Sequence, residues 1–262
     1  MEKNLKYEVC HIVLCKNEED IIPFCIQYWQ RYATKVVVFD NHSTDSSVEL
    51  LSKHDWIEIR TFDSDGQNDP LQKQVKELAY KEFREFYDVI IISDMDEVFY
   101  FNDLEKELDK MINGNYDAML LPLYSLCEDK KPEYEEGKLL HQLCHKFHKQ
   151  QRMNHMGGFQ NYTKISIFNT NTVLFLSMSV GQHFVNTIPT QNFMIAEDAF
   201  GLHIDKGFGI DYKFNIRQKM NENLSRTNKQ CGMCIEYSKD YESLKEEYER
   251  NQRNSFDINE KS

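Results

Sequence analysis

The sequence predicts an α/β fold, a doubly wound, mostly parallel sheet with helices on both faces. Short apolar runs alternate with stretches of helical period through the first 125 residues, the pattern of successive βαβ units. Each run breaks off into acidic or amide residues, which is where open sheets of this kind bind ligands. The apolar runs are too continuous for strands with one wet face, so both faces must be covered.

In order, "EVCHIVLC" (8–15) reads as a strand and "EEDIIPFCIQYWQRY" (18–32) as a helix. Pro23 falls in that helix's first turn, where backbone N–H groups lack intrahelical acceptors anyway. "KVVVFD" (35–40), "WIEIRTFD" (56–63), "DVIIIS" (88–93) and "DAMLLPLYSL" (117–126) read as further strands. Between them "SSVELLSKH", "DPLQKQVKELAYKEFREF" and "NDLEKELDKMIN" carry helical spacing. After Ser125 the rhythm breaks into a charged connection, "CEDKKPEYEEGK", and a polar, aromatic segment. "ISIFNTNTVLFLSMSV" (165–180) reads as a hairpin about an Asn-Thr-Asn turn. Tyr237, Tyr241, Leu244 and Tyr248 share one helical face, predicting a docked C-terminal helix. The expected division is a ligand-binding α/β half over 1–125, a second half of the same domain over 126–236, and a helical tail over 237–262.

Bulk properties narrow the function. Forty per cent hydrophobic residues and 28% charged ones describe a chain that folds. A formal charge of −12 is wrong for a non-specific nucleic-acid binder, which must neutralise phosphates. No stretch approaches the ~20 apolar residues of a membrane span, and "MEKNLKYEVC" lacks the apolar core of a secretion signal. A cytoplasmic location is expected, peripheral at the inner face of the membrane if membrane-associated at all. Seven cysteines at irregular spacing suggest reduced thiols rather than a disulfide framework.

The chemistry concentrates in "YDVIIISDMDEVFY". On an extended strand Asp94 and Asp96 project together while Met95 turns away. Two adjacent carboxylates call for a cation or a shared proton. One or two carboxylates completed by substrate phosphates is the usual holding of Mg²⁺ or Mn²⁺ at a nucleotide site, with Asp96 the stronger ligand because it lies further beyond the strand. "DMDEV" also fits the nucleophile motif of haloacid-dehalogenase-like phosphatases, although that nucleophile normally ends a first strand. A sugar-1-phosphate nucleotidyltransferase would share the architecture, but "LCKNEED" lacks its glycine-rich loop. A catalytically decayed binding module is the non-enzyme alternative. Lys73 and Lys76 could lean toward phosphate, but the charged helix face favours solvated lysines. His141 and His145 at helical spacing, with Cys231 and Cys234, raise a structural zinc as a minor possibility.

Taken together, "LCKNEEDIIPFCIQYW", "VVVFDNHSTDSS", "NDPLQKQVKELAY", "VIIISDMDEVF" and "FGLHIDKG" resemble glycosyltransferase family 2, with its GT-A fold, and specifically a bacterial subset with a D-x-D-E metal motif. The resemblance implies a metal-dependent, inverting transfer from a nucleoside diphosphate sugar, a UDP-sugar foremost, to a hydroxyl of a glycan or lipid-linked glycan. It implies that Asn17 and Glu18 approach the base, that Asp40 accepts from base or ribose with Asn41 and Asp45 shaping the turn, and that Asp94 and Asp96 serve the sugar-diphosphate. His203 is its third metal ligand, for Mn²⁺ or Mg²⁺. Asp198, next to Glu197, is the expected base, its alternative being a helix-start acid. His183 matches a position near the acceptor, where a structural histidine is the alternative.

Overall fold

The computed structural model describes residues 5–149, 152–153, 159–160, 166–182 and 184–261. The strands and helices run β1 (Val9–Cys15), α1 (Ile22–Tyr32), β2 (Lys35–Asp40), α2 (Ser47–Ser52), β3 (Ile57–Thr61), α3 (Asp69–Phe83) and β4 (Val89–Asp94). Then follow β5 (Glu97–Phe101), α4 (Leu104–Asn113), β6 (Ala118–Leu120), β7 (Leu123–Leu126), α5 (Leu140–Leu143) and β8 (Phe147–Lys149). Short β9 (Arg152–Met153) and β10 (Phe159–Gln160) precede β11 (Ile167–Asn169), β12 (Phe175–Met178), β13 (Val185–Ile188), β14 (Phe193–Ile195) and β15 (Ala199–His203). The chain closes with α6 (Ile210–Glu222), α7 (Arg226–Cys231) and α8 (Tyr241–Arg253).

Seven strands form the central sheet in the order β14-β6-β11-β4-β1-β2-β3. Only β11 runs against its neighbours β4 and β6; β1, β2, β3 and β4 are parallel. Alternate residues of the central strands feed two cores. Val9, Val13, Val89 and Ile91 face α1, with Tyr28, Trp29 and Tyr32. Cys10, Ile12, Ile90 and Ile92 face α3, with Ala79, Tyr80 and Phe83. That two-sided burial is why β1 is apolar almost throughout.

His11 is the polar exception in β1 and is fully buried. Its ring nitrogens lie 2.8 Å from Ser93 Oγ and 3.1 Å from Tyr32 OH. Burial lowers its pKa to about 3, and burial followed by Arg31 lowers that of His141 to about 4. Both values lie below the ordinary imidazole value, so between them the unfolded chain binds more protons than the folded one. The contribution of these two histidines is therefore complete above about pH 6.5 and is lost on acidification, by ~1.4 kcal/mol per pH unit for each, offset in part by His203, whose raised value acts in the opposite sense. A denaturation midpoint that drops clearly from pH 7 to pH 5 is the expected result; an unchanged midpoint refutes it.

Several expectations are corrected. The run 117–126 is two strands: Pro122 breaks it, and β7 leaves the central sheet for a second one, ordered β5-β15-β7-β8. The hairpin over 165–180 does not form. Its first arm, β11, is drawn into the central sheet beside β4, while its second, β12, pairs with β13. Lys76 is buried rather than solvated. His141 sits in the four-residue α5 within hydrogen-bonding distance of Tyr28 OH, and His145 is exposed and paired with Asp257, so the two do not share a helix face toward a metal. Of the remaining histidines considered, His155 and His183 lie outside the described residues.

The tail docks on the chain through α8, although Tyr237, expected on the same helix face, lies before it in a separate 3₁₀ turn, Ile235–Ser238. Leu244 and Tyr248 are buried, and the Tyr248 hydroxyl accepts from Gly209 N at 2.9 Å and donates to the Glu128 carbonyl at 2.5 Å. This contact braces the loop between β15 and α6. The cysteines are free thiols. No helix among the described residues is long and apolar enough to cross a membrane.

Candidate active site

The carboxyl ends of β1 to β4 open on one cavity of about 800 Å³. The β1 exit contributes Asn17 and Glu18, the β2 exit Asn41, the β3 exit Ser64 to Gln67, and the β4 exit Asp94 and Asp96. The far wall comes from the second half of the chain: His203 at the end of β15, Asp205 and Lys206 after it, and Arg217 on α6. Gly66 allows the two halves to close. It has φ +112°, and a Cβ there would stand 2.1 Å from the Asn223 carbonyl oxygen at the end of α6.

Asp96 and His203 meet on the floor. β15 lies antiparallel to β5 with His203 opposite Glu97, which sets its ring beside the turn carrying Asp96. His203 Nε2 stands 3.5 Å from Asp96 Oδ2, and Lys206 Nζ is 3.8 Å from the same oxygen. Burial opposes ionisation of Asp96, but Lys206 and His203 outweigh it and hold the carboxyl well below the usual range. Burial likewise opposes charge on His203, and Asp96 overcomes it to raise the imidazole above its ordinary value.

The other residues read from the sequence divide. Asp94 is in the cavity wall, its Oδ1 accepting from Lys76 Nζ at 2.7 Å; Lys76 in turn donates to Gln182 at 3.0 Å. Glu18 accepts from Lys206 at 2.6 Å on each oxygen, so its carboxylate is turned to an internal cation. Asn17 Oδ1 accepts from Thr44 N at 2.7 Å, and Asn41 lines the cavity. Asp40 is buried, its two oxygens taken by Ser43 N and Ser43 Oγ, so it shapes the turn after β2. Asp45 staples the same turns, accepting from Glu19 N and Ser47 N.

Asp198 is not brought to the cavity. It precedes β15, five residues from His203, roughly 16 Å away at the rise of a strand. It accepts from Asn102 at 3.0 Å, at the opposite end of β5. Its neighbour Glu197 pairs with Lys110 at 2.7 Å in an open groove between α4 and β14. Lys76, Asp205, Lys206 and Arg217 were not read as site residues. Lys76 had a signal, since it shares the 76, 79, 80, 83 helical face that α3 buries.

Among the described residues no three His, Cys, Asp or Glu side chains converge as a preformed metal cage. The donor chemistry nevertheless fits a hard divalent ion. Two donors cis on such an ion at 2.0–2.1 Å lie about 3 Å apart, near the Asp96–His203 separation, and phosphates and water would complete the shell.

Residues 10–177 match the family Glycosyl transferase family 2. The chain belongs to that family. With that match the phosphatase and nucleotidyltransferase alternatives lose their basis, and the mostly parallel sheet is its GT-A architecture. Among solved structures, S. aureus TarS is similar with a TM-score of 0.47 and 12% identity, covering 84% of this chain and 44% of that one. S. aureus TarS 1–349 in complex with UDP gives a TM-score of 0.43 and 12% identity, covering 85% and 72%. The complex of TarS 1–349 with UDP-GlcNAc gives a TM-score of 0.41 and 13% identity, covering 82% and 66%. The chain described here thus spans less than half the length of that TarS chain. A search of curated proteins returned no match.

Proposed function

We propose that the protein transfers a sugar from a nucleoside diphosphate donor, a UDP-sugar foremost, to a hydroxyl of a glycan or lipid-linked glycan, with inversion and with Mn²⁺ or Mg²⁺. A bacterial surface polysaccharide is the proposed product, made at the cytoplasmic face of the membrane by a peripheral enzyme. The observation that carries this reading is the Asp96–His203 pair, 3.5 Å apart, on the floor of a cavity walled by all four strand exits.

In the reaction an acceptor oxygen attacks the anomeric carbon, the bond from that carbon to the β-phosphate oxygen breaks, and its electron pair leaves with the diphosphate. The acceptor proton goes to a carboxylate. Asp198, at the far end of β15, would need a rearrangement to take it, so the proton is assigned to the carboxylates that face the cavity. A divalent ion, when bound by Asp96 and His203, supplies charge neutralisation for the departing diphosphate. Asn17, Asn41 and the β3 exit supply the polar surface for the nucleoside.

A thermal-shift screen of nucleoside diphosphates with Mn²⁺ tests this. A ligand at about 100 times its Kd adds ~2.7 kcal/mol to the native state, so one nucleotide should raise Tm by several degrees. No shift with any of them, with or without metal, would sink the proposal.

A further inference from the structure

The loop from β15 to α6 holds Lys206 in an unusual way. Asp205 and Lys206 both take left-handed backbone, φ 46° and 55°, a region that non-glycine residues enter against strain and that concentrates at functional positions. Gly207 follows because an added Cβ would stand 2.1 Å from the Leu126 carbonyl oxygen. This contour delivers Lys206 into the cavity wall, where it is 7% exposed. Two of its N–H groups go to Glu18, 2.6 Å from each oxygen. An ammonium has three donors. Among the described residues the third has no acceptor at hydrogen-bond distance, Asp96 Oδ2 standing 3.8 Å away. Burial opposes the charge, but Glu18 and Asp96 overcome it and keep the ammonium protonated.

We propose that Lys206 is a catalytic residue, fixed by Glu18 so that its third N–H donates to a phosphoryl oxygen of the donor diphosphate beside Asp96 and His203. This rests on the glycosyl-transfer reading and extends it to a residue beyond the matched span 10–177. As the bond from the anomeric carbon to the β-phosphate oxygen breaks, the electron pair passes to the diphosphate and the Lys206 hydrogen bond strengthens. The lysine keeps its proton throughout, so it acts by charge and not as an acid. A counter-ion serving Glu18 alone would need neither the strained loop nor the unfilled donor.

The test is calorimetric titration of wild type, Lys206→Met, Lys206→Arg and the charge-balanced double variant Glu18→Gln/Lys206→Met, in one magnesium buffer. The probes are inorganic pyrophosphate, UDP, GDP and uridine. Pyrophosphate and the bound nucleotide should weaken about 10- to 100-fold in both Met variants, uridine should change less than twofold, and Lys206→Arg should recover part of the loss. The double variant keeps the test valid if the single one, left with a buried unpaired Glu18, fails to fold. Double-variant affinities within twofold of wild type overturn the proposal, whatever happens to Tm. Wild-type binding of pyrophosphate but of no nucleoside diphosphate, neither UDP and GDP nor the others of the thermal-shift screen, removes the transfer reading and leaves the Lys206 anion site. Binding of UDP that is indifferent to Lys206 does the reverse. Orthophosphate binding that depends on Lys206 and persists at saturating UDP would place the anion on the acceptor, overturning the donor assignment.

Discussion

Asp96→Asn is expected to abolish the metal-dependent stabilisation by nucleotide and to lower transfer at least 10²-fold, the usual loss when one electrostatic contact to a developing charge is removed. The amide keeps the shape of the side chain and one acceptor oxygen, so the change isolates the charge. That charge faces His203 at 3.5 Å and Lys206 at 3.8 Å, and neutralising it leaves the Lys206 ammonium on the cavity floor with less to hold a divalent ion. Affinity for the nucleoside alone should be nearly unchanged, because the strand exits that line its side of the cavity are untouched. Asp94→Asn makes the contrast, since Asp94 is engaged by Lys76 and its loss should act more through Lys76. Full metal-dependent nucleotide binding by Asp96→Asn would refute the assignment.

Asp205→Asn is expected to give the largest loss of stability. Asp205 accepts from Lys213 Nζ at 2.7 Å, and Lys213 has only 4% of its side chain exposed. Asn tolerates the left-handed backbone that Asp205 adopts, so backbone strain is held constant while Lys213 loses its counter-ion. Stranding a buried charge costs about 3–5 kcal/mol, a fall in Tm of roughly 10 °C for a chain of this size. Burial opposes the Asp205 carboxylate, but Lys213 leads the cations that hold it far below its ordinary value. Its contribution is therefore present at neutral pH and fades only as acid is added below the unfolded carboxyl range. The double variant Asp205→Asn/Lys213→Met should regain much of the loss, because it removes the buried cation that the single variant leaves unpaired. Equal stability of Asp205→Asn and wild type would overturn the argument.

How far the sequence led depends on the range of the contacts involved. The four exits were legible because each polar cluster sits directly after its own strand, and parallel strands carry such clusters to one edge. The Asp96–His203 meeting came only through the family resemblance, since nothing local joins residues 107 positions apart. Lys206 and Glu18, 188 positions apart, escaped notice for the same reason. Asp198 was misjudged because "AEDAFGLH" was read as one neighbourhood, although its acid and its histidine stand at opposite ends of a five-residue strand. The second sheet was hidden in "EVFYF", which is short and follows the acidic motif too closely to stand out as a strand.

The pairing of β5 with β15 acts as a ruler between two distant parts of the gene. Side chains on such a ribbon alternate faces, so inserting a single residue within Ala199–His203 would present Leu202 at the floor and send the imidazole to the other face. The charged connection at 130–138, by contrast, is largely exposed and pairs with no strand. Natural length variation should therefore collect there, while the ribbon keeps its count.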